Sequence, residues 1–180
     1  MTIRLKSLPA GFALPPQKPG TASKLRQRPK SPAKAPEPLE RNIQRAIIAY
    51  LESLGTGPSR RARLVDAMNA IRAYETTLAA KLLAGLAARP AWRVWGHSRA
   101  EDLPRRTPTF AVTHATRSPL EVAEHLARHE IYAWSGNFYA MELAERLGVE
   151  DHGGFLRLGL VHYNTAREVE RTLSALDEMR

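Results

Sequence analysis

Seven of the chain's 13 prolines fall within its first 36 residues, and that crowding decides where a fold can begin. Proline fixes φ and removes a backbone donor, so neither a helix nor a central strand survives such spacing. Segments such as QKPG and QRPKSPAKAPEP also offer little apolar surface to bury. Residues 1–38 are therefore expected to be a disordered Pro-rich basic arm, with the folded body starting at residue 39. No apolar core of a secretory signal precedes these prolines, and they spoil the amphipathic helix a transit peptide needs.

The same 36 residues hold eight Lys or Arg and no Asp or Glu. The whole chain has 27 basic and 18 acidic residues, so removing the arm's eight leaves a body that is close to neutral. A cationic arm supports weak, salt-sensitive contact with nucleic acid. It lacks the interleaved aromatics that stack on bases, apart from Phe12. No nucleic-acid binding beyond this weak contact by residues 1–38 is expected. Cysteine is absent, which excludes disulfides, thiolate metal sites and a cysteine nucleophile, and favours a cytoplasmic location. The longest apolar runs are too short to cross a bilayer, so no membrane partner is expected.

From Asn42 the pattern becomes helical: Ile43, Ile47, Tyr50, Leu51 and Leu54 share a face, and Gly55 and Gly57-Pro58 end it. A longer helix is predicted from Arg60, with Leu64, Met68, Ile71, Leu78, Leu82 and Leu86 as its stripe and Pro90 as its limit. WRVW at 92–95 reads as a strand, and Thr109 to Thr113 as a second in which Phe110 and Val112 face the same way. Ser118-Pro119-Leu120-Glu121 carries the signature of a capping box, and the helix it starts bears Leu120, Ala123, Leu126 and Ala127. A strand at 131–134, a helix at 138–147 stopped by Gly148 and a strand at 154–161 follow. Thr165-Ala166-Arg167-Glu168 then opens the last helix, lined by Val169, Leu173 and Leu176. The order β-β-α-β-α-β-α predicts an α+β body: a mainly antiparallel sheet with helices on one face, preceded by a long helix.

Arg157 is the candidate functional residue. A planar guanidinium offers paired donors that match a carboxylate, although an isolated strand arginine ordinarily faces solvent. Its surroundings add meaning, because the strand ends in Tyr163-Asn164-Thr165. Taken alone those three read as structural: Thr165 as a cap, Asn164 as a turn residue and Tyr163 packed at the strand end. Upstream, the segment WSGNFYAME places Trp134, Phe138 and Tyr139 near one another, where they are expected to pack.

The run from Ile131 to Thr165 resembles the C-terminal small domain of class V aminotransferases, in the branch called cysteine-desulfurase-like. The resemblance covers about residues 43–180 and implies the small domain of the fold-type I transferase fold. Its domain reading is a disordered arm at 1–38, interdomain helices at 39–90 and an α+β small domain at 91–180. It also implies that Arg157, followed by Tyr-Asn-Thr, binds the substrate carboxylate. In desulfurases a Gly-His-His-Cys-Ala segment carries the catalytic cysteine. Gly136-Asn137-Phe138-Tyr139-Ala140 puts Tyr139 in that place, and a phenol does not replace a thiolate at neutral pH.

The family's cofactor is pyridoxal phosphate, which a large-domain lysine holds as a Schiff base. The lysines here are Lys6, Lys18, Lys24, Lys30 and Lys34 in the arm and Lys81 in a helix. None has the family's lysine context, so the chain alone is not expected to bind the cofactor. The resemblance thus implies a truncated portion of an enzyme acting on amino acids, inactive alone, with homo-oligomerisation or docking onto a full-length relative as its partnership. The alternative is a small α+β binding module whose cationic arm holds nucleic acid or another protein. No catalytic residue and no metal site are assigned. His125 and His129 stand at i, i+4, but no third ligand is evident and Ala133 replaces the histidine of an H-E-x-x-H pattern. Gly96-His97-Ser98-Arg99 lacks the glycine and helix of a nucleophile elbow.

Overall fold

Alternating burial along Thr109–His114 (β2) and Phe155–Gly159 (β4) sets the architecture of the body. In the computed structural model, which describes residues 39–179, these strands pair antiparallel. Their register is Phe110↔Leu158, Ala111↔Arg157 and Val112↔Leu156. Trp92–Trp95 (β1) pairs with β2 and Trp134–Gly136 (β3) with β4, so the sheet order is β1-β2-β4-β3 and each pairing is antiparallel. The α+β class expected from the sequence is the one observed. The expected disorder of the arm at 1–38 lies outside the described residues.

One sheet face is covered by three helices. Arg60–Ala87 (α2) starts at Ser59, whose hydroxyl accepts the Ala62 N–H. Pro119–Arg128 (α3) and Ala166–Asp177 (α5) both start with complete capping boxes, Ser118 with Glu121 and Thr165 with Glu168. Leu82 and Leu86 from α2, Val122 and Leu126 from α3, and Val169 and Leu176 from α5 meet Phe110, Val112, Leu156 and Leu158 in one fully buried cluster. Each such side chain contributes roughly 1.5–3 kcal/mol on removal from water. The opposite face carries a smaller cluster, in which Phe155, Trp95 and Ala111 meet Phe138, Val149 and Ala144 of the short helix Met141–Arg146 (α4).

Leu39–Ser53 (α1) rests on the first half of α2. Glu52 receives Arg63 and, at 3.2 Å, the Nε of Arg60, while Thr56 donates its backbone N–H and its hydroxyl to Asp66 at 2.8 Å each. These two hydrogen bonds hold the Asp66 carboxyl below its ordinary pKa. Gly55 is needed because a Cβ there would sit 1.9 Å from the Arg63 carbonyl oxygen. Ile43, Ile47, Tyr50 and Leu54 remain exposed. Among the described residues no helix is long and apolar enough to cross a membrane.

Several local expectations shift. Met68 is exposed, because the first half of α2 extends beyond the sheet and buries Ala67 in its place, while Ile71 is buried as expected. Leu120 and Ala127 are exposed as well, since α3 turns Val122 and Leu126 toward the core. The strand expected at 131–134 is β3, displaced to Trp134–Gly136. The cause is a Schellman cap: Glu130 takes φ 56°, its N–H reaches the Ala127 carbonyl, and Ile131 N–H reaches the Leu126 carbonyl. Ile131 is thereby buried as the hydrophobic partner of the cap rather than paired in the sheet. The helix expected from 138 starts only at Met141, because Phe138 and Tyr139 take φ 55° and 64°. Its stop at Gly148 holds, with φ 68° and Val149 N–H on the Ala144 carbonyl.

Two glycines separate backbone freedom from close approach. Gly148 has open space around it, whereas a Cβ on Gly154 (φ 80°) would lie 2.5 Å from the Gly136 carbonyl carbon and oxygen. Gly148→Ala is expected to lower stability by about 1 kcal/mol from strain alone. Gly154→Ala is expected to lower it by at least about 2 kcal/mol, because β3 must also move off β4. Urea melts of the two variants check the order, and equal losses would contradict it.

Candidate functional site

The period of two along β4 puts Leu156 and Leu158 under the helices and sends Arg157 to the other face. Register fixes its neighbours: Ala111 on one side, too small to cover it, and Trp134 on the other. The Arg157 guanidinium carbon lies 4.4 Å from the Phe138 ring centroid and 5.9 Å from that of Trp134. Stacking of this kind contributes about 0.5–1 kcal/mol at an exposed site and leaves the N–H edge of the guanidinium unused. Arg157 is half-buried and makes no hydrogen bond or ion pair with any described residue.

Several other arginines are engaged within the fold. Arg89 donates from Nε to Asp177 at 3.0 Å and Arg72 to the Pro104 carbonyl at 2.7 Å, while Arg99 pairs with Glu101 at 2.9 Å. Arg157 is positioned by aromatic rings instead, so its donors stay available to a ligand.

The loop beside it is held under strain. Asn137 donates from Nδ2 to Glu150 at 2.9 Å and accepts the Tyr139 N–H at 3.1 Å on Oδ1. Those bonds pin two consecutive non-glycine residues, Phe138 and Tyr139, in the left-handed region. Phe138 joins the smaller cluster, but Tyr139 is fully exposed and Trp134 is 66% exposed. The expectation that Trp134 and Tyr139 pack is therefore corrected, because β3 is an edge strand and the turn points the phenol at solvent.

Thr165 caps α5 as expected, accepting the Glu168 N–H at 3.2 Å. Asn164 is buried; its Oδ1 accepts from Val161 N–H at 2.9 Å, and its carbonyl accepts the Tyr74 hydroxyl at 2.7 Å. Tyr163 is exposed, edge-on to His162 with ring centroids 5.4 Å apart. These three shape the exit of β4 and do not join Arg157 at one surface. His97 and Ser98 lie in an exposed loop, with His97 3.4 Å from Asp102. Burial alone would raise the Asp102 pKa, but the hydrogen bond and charge of Arg99, with His97 and Arg105, hold it below its ordinary value.

Sequence reasoning missed Arg93 and Trp95. They alternate with the buried Trp92 and half-buried Val94, so they share with Arg157 the face opposite α2, α3 and α5, where Trp95 joins the smaller cluster, and the Arg93 guanidinium stacks 3.7 Å from the Trp95 ring centroid. The WRVW alternation was the available signal.

The family model for aminotransferase class V matches residues 62–172. An aminotransferase-like protein of Gibberella zeae, FGM3, is 30% identical over 139 residues, which is 75% of this chain and 32% of that protein. Among solved structures, the cysteine desulfurase CsdA of Escherichia coli superposes with a TM-score of 0.52 at 22% identity, covering 68% of this chain and 31% of its own. The cysteine desulfurase of Thermococcus onnurineus gives 0.56 at 22% identity, covering 69% and 32%. The NifS-like protein of Rickettsia africae gives 0.53 at 22% identity, covering 67% and 32%. The chain spans about a third of the length of these relatives.

The cofactor associated with this family is pyridoxal phosphate, and the described residues do not fit as its seat. Lys81 is the one lysine among them. It lies on α2, across the sheet from Arg157, with its ammonium paired to Glu170 of α5.

Tyr139 carries a strained backbone with no burial to offset it. Tyr139→Gly removes that strain while adding entropy to the unfolded chain, and the two terms oppose each other. The expected result in thermal and urea melts is unchanged stability or a gain of up to about 1 kcal/mol. A loss above about 1 kcal/mol would mean that the phenol makes contacts the geometry does not contain.

Proposed function

The chain belongs to the aminotransferase class V family, and from that membership we propose that its open sheet face binds the carboxylate of an amino or keto acid through Arg157. The observation that carries this reading is the guanidinium itself, aimed away from the helices, held by Phe138 and Trp134, and free of any internal carboxylate among the described residues. A carboxylate arriving at that face finds two parallel N–H donors in a fixed plane. The neighbouring rings exclude water from one side of the pair and strengthen it.

The reacting centre of the acid is held by polypeptide outside residues 39–179, and the chain is inactive alone. Tyr139 stands where the desulfurase pattern has cysteine, so the reading assigns carboxylate binding without sulfur transfer. The exposed apolar residues of the first two helices, Ile43, Ile47, Val65 and Met68, form the surface on which a large domain or a second copy docks. A chain without cysteine suits the reducing cytoplasm.

Titration of the isotopically labelled chain with pyruvate tests the binding directly. The Trp134 indole signal and the amides of β3 and β4 are expected to shift, and alaninamide, which has no carboxylate, is expected to leave them in place. Arg157→Ala is expected to weaken binding at least about tenfold, with Arg157→Lys intermediate because it retains charge without the fork. Shifts that persist in Arg157→Ala, or that map to the helical face, would overturn the assignment.

A further inference from the structure

The C-terminal ends of α3 and α5 converge, and the side chains gathered there have no part in the carboxylate site. His125 lies in the last turn of α3 and His129 is its C-cap; Glu178 is the C-cap of α5. His129 Nε2 is 3.2 Å from Glu178 Oε2, and His125 Nε2 is 3.9 Å from the same oxygen. The imidazole centroids are 4.8 Å apart, and one ligand atom from each of the three residues lies within 4.8 Å of the others. A tetrahedral site with bonds of about 2.0–2.1 Å sets its ligand atoms about 3.3 Å apart. Rotations of His125, the half-buried His129 and the exposed Glu178 close the remaining gap.

From this geometry we infer that His125, His129 and Glu178 form a binding site for a divalent transition metal of the zinc type. Two imidazoles and a carboxylate suit that class of ion. Both helices present the negative ends of their dipoles to the same point, which favours a cation there. His125 is the least exposed member: its side chain is 12% exposed, its Nε2–H donates to the Ala175 carbonyl at 2.8 Å, and Arg128 donates to its Nδ1 at 3.3 Å, so its ring turns away from that carbonyl when Nε2 takes the ion.

Metal capture at Nε2 moves the imidazole proton to Nδ1. Arg128, which is exposed, then swings into solvent, and the imidazole gives up its bond to the carbonyl of Ala175 in the last turn of α5. Three protein ligands leave a fourth position for water, so the ion ties α3 to α5 while staying open on one side. The sequence alone shows only the i, i+4 histidines. The third ligand comes from a helix end about 50 residues downstream, and only the α3–α5 packing brings it in.

The test is zinc titration by calorimetry on the untagged chain stripped of metal with a chelator, alongside His129→Ala and Glu178→Ala. Both replaced side chains lie at the surface, and circular dichroism confirms that the variants fold. The expected result is one zinc per chain, affinity at least about tenfold weaker in each variant, and a zinc-induced rise in melting temperature that each variant loses. Cobalt substitution is expected to give tetrahedral visible bands in the parent chain and none in His129→Ala. Absence of one-to-one binding, or affinity unchanged in either variant (adventitious surface metal only), would overturn the site.

Discussion

The pairing of β2 with β4 governs everything that follows in this molecule. Because side chains alternate along a strand, the register Ala111↔Arg157 puts Phe110, Val112, Leu156 and Leu158 on one face and Arg157 on the other. A slip of β4 by one residue would drive the arginine under three helices and turn Leu156 and Leu158 out of the core. The cost of burying an unpaired guanidinium and losing that apolar contact makes the slipped register untenable. The same interaction that closes the core therefore also presents the arginine.

What surrounds Arg157 is consistent with a residue kept in reserve. Some arginines of this chain pair with a nearby acid, as Arg63 does with Glu52 and Arg89 with Asp177. None of the nearby acids pairs with Arg157: Glu150 accepts from Asn137 through Oε1 while its Oε2 is buried without a partner, and Glu142 and Glu145 lie on the short helix beyond. The rings of Phe138 and Trp134 hold the guanidinium plane without using its N–H groups. The loop that supplies Phe138 carries two left-handed residues, a local expense that the Asn137 bonds and the close Gly136–Gly154 approach sustain.

The sheet, its antiparallel sense and three of the covering helices were legible because their signals are local. Ser118-Glu121 and Thr165-Glu168 announce helix starts by hydrogen bonds spanning three residues, and FLRLG announces its face by alternation. The segment from Glu130 to Ala140 was not legible in detail. Its conformation depends on Glu130, Phe138 and Tyr139 adopting a backbone region that their side chains disfavour. Ile131 read as a strand residue because a buried isoleucine in a helix cap and one in a sheet look alike in a sequence. Trp134 was expected to pack, yet edge position and register decide its exposure. Arg157 itself was legible as a candidate; that its donors face no internal acid needed the packed structure.

Arginine-selective modification followed by peptide mass spectrometry tests the central claim most directly. With phenylglyoxal, the account predicts that Arg157 reacts faster than Arg89, whose donors are engaged by Asp177. An added α-keto acid should protect Arg157 while leaving exposed Arg167 as reactive as before. Slow modification of Arg157 matching that of Arg89, or equal loss of reactivity at Arg157 and Arg167 on adding the acid, would contradict it.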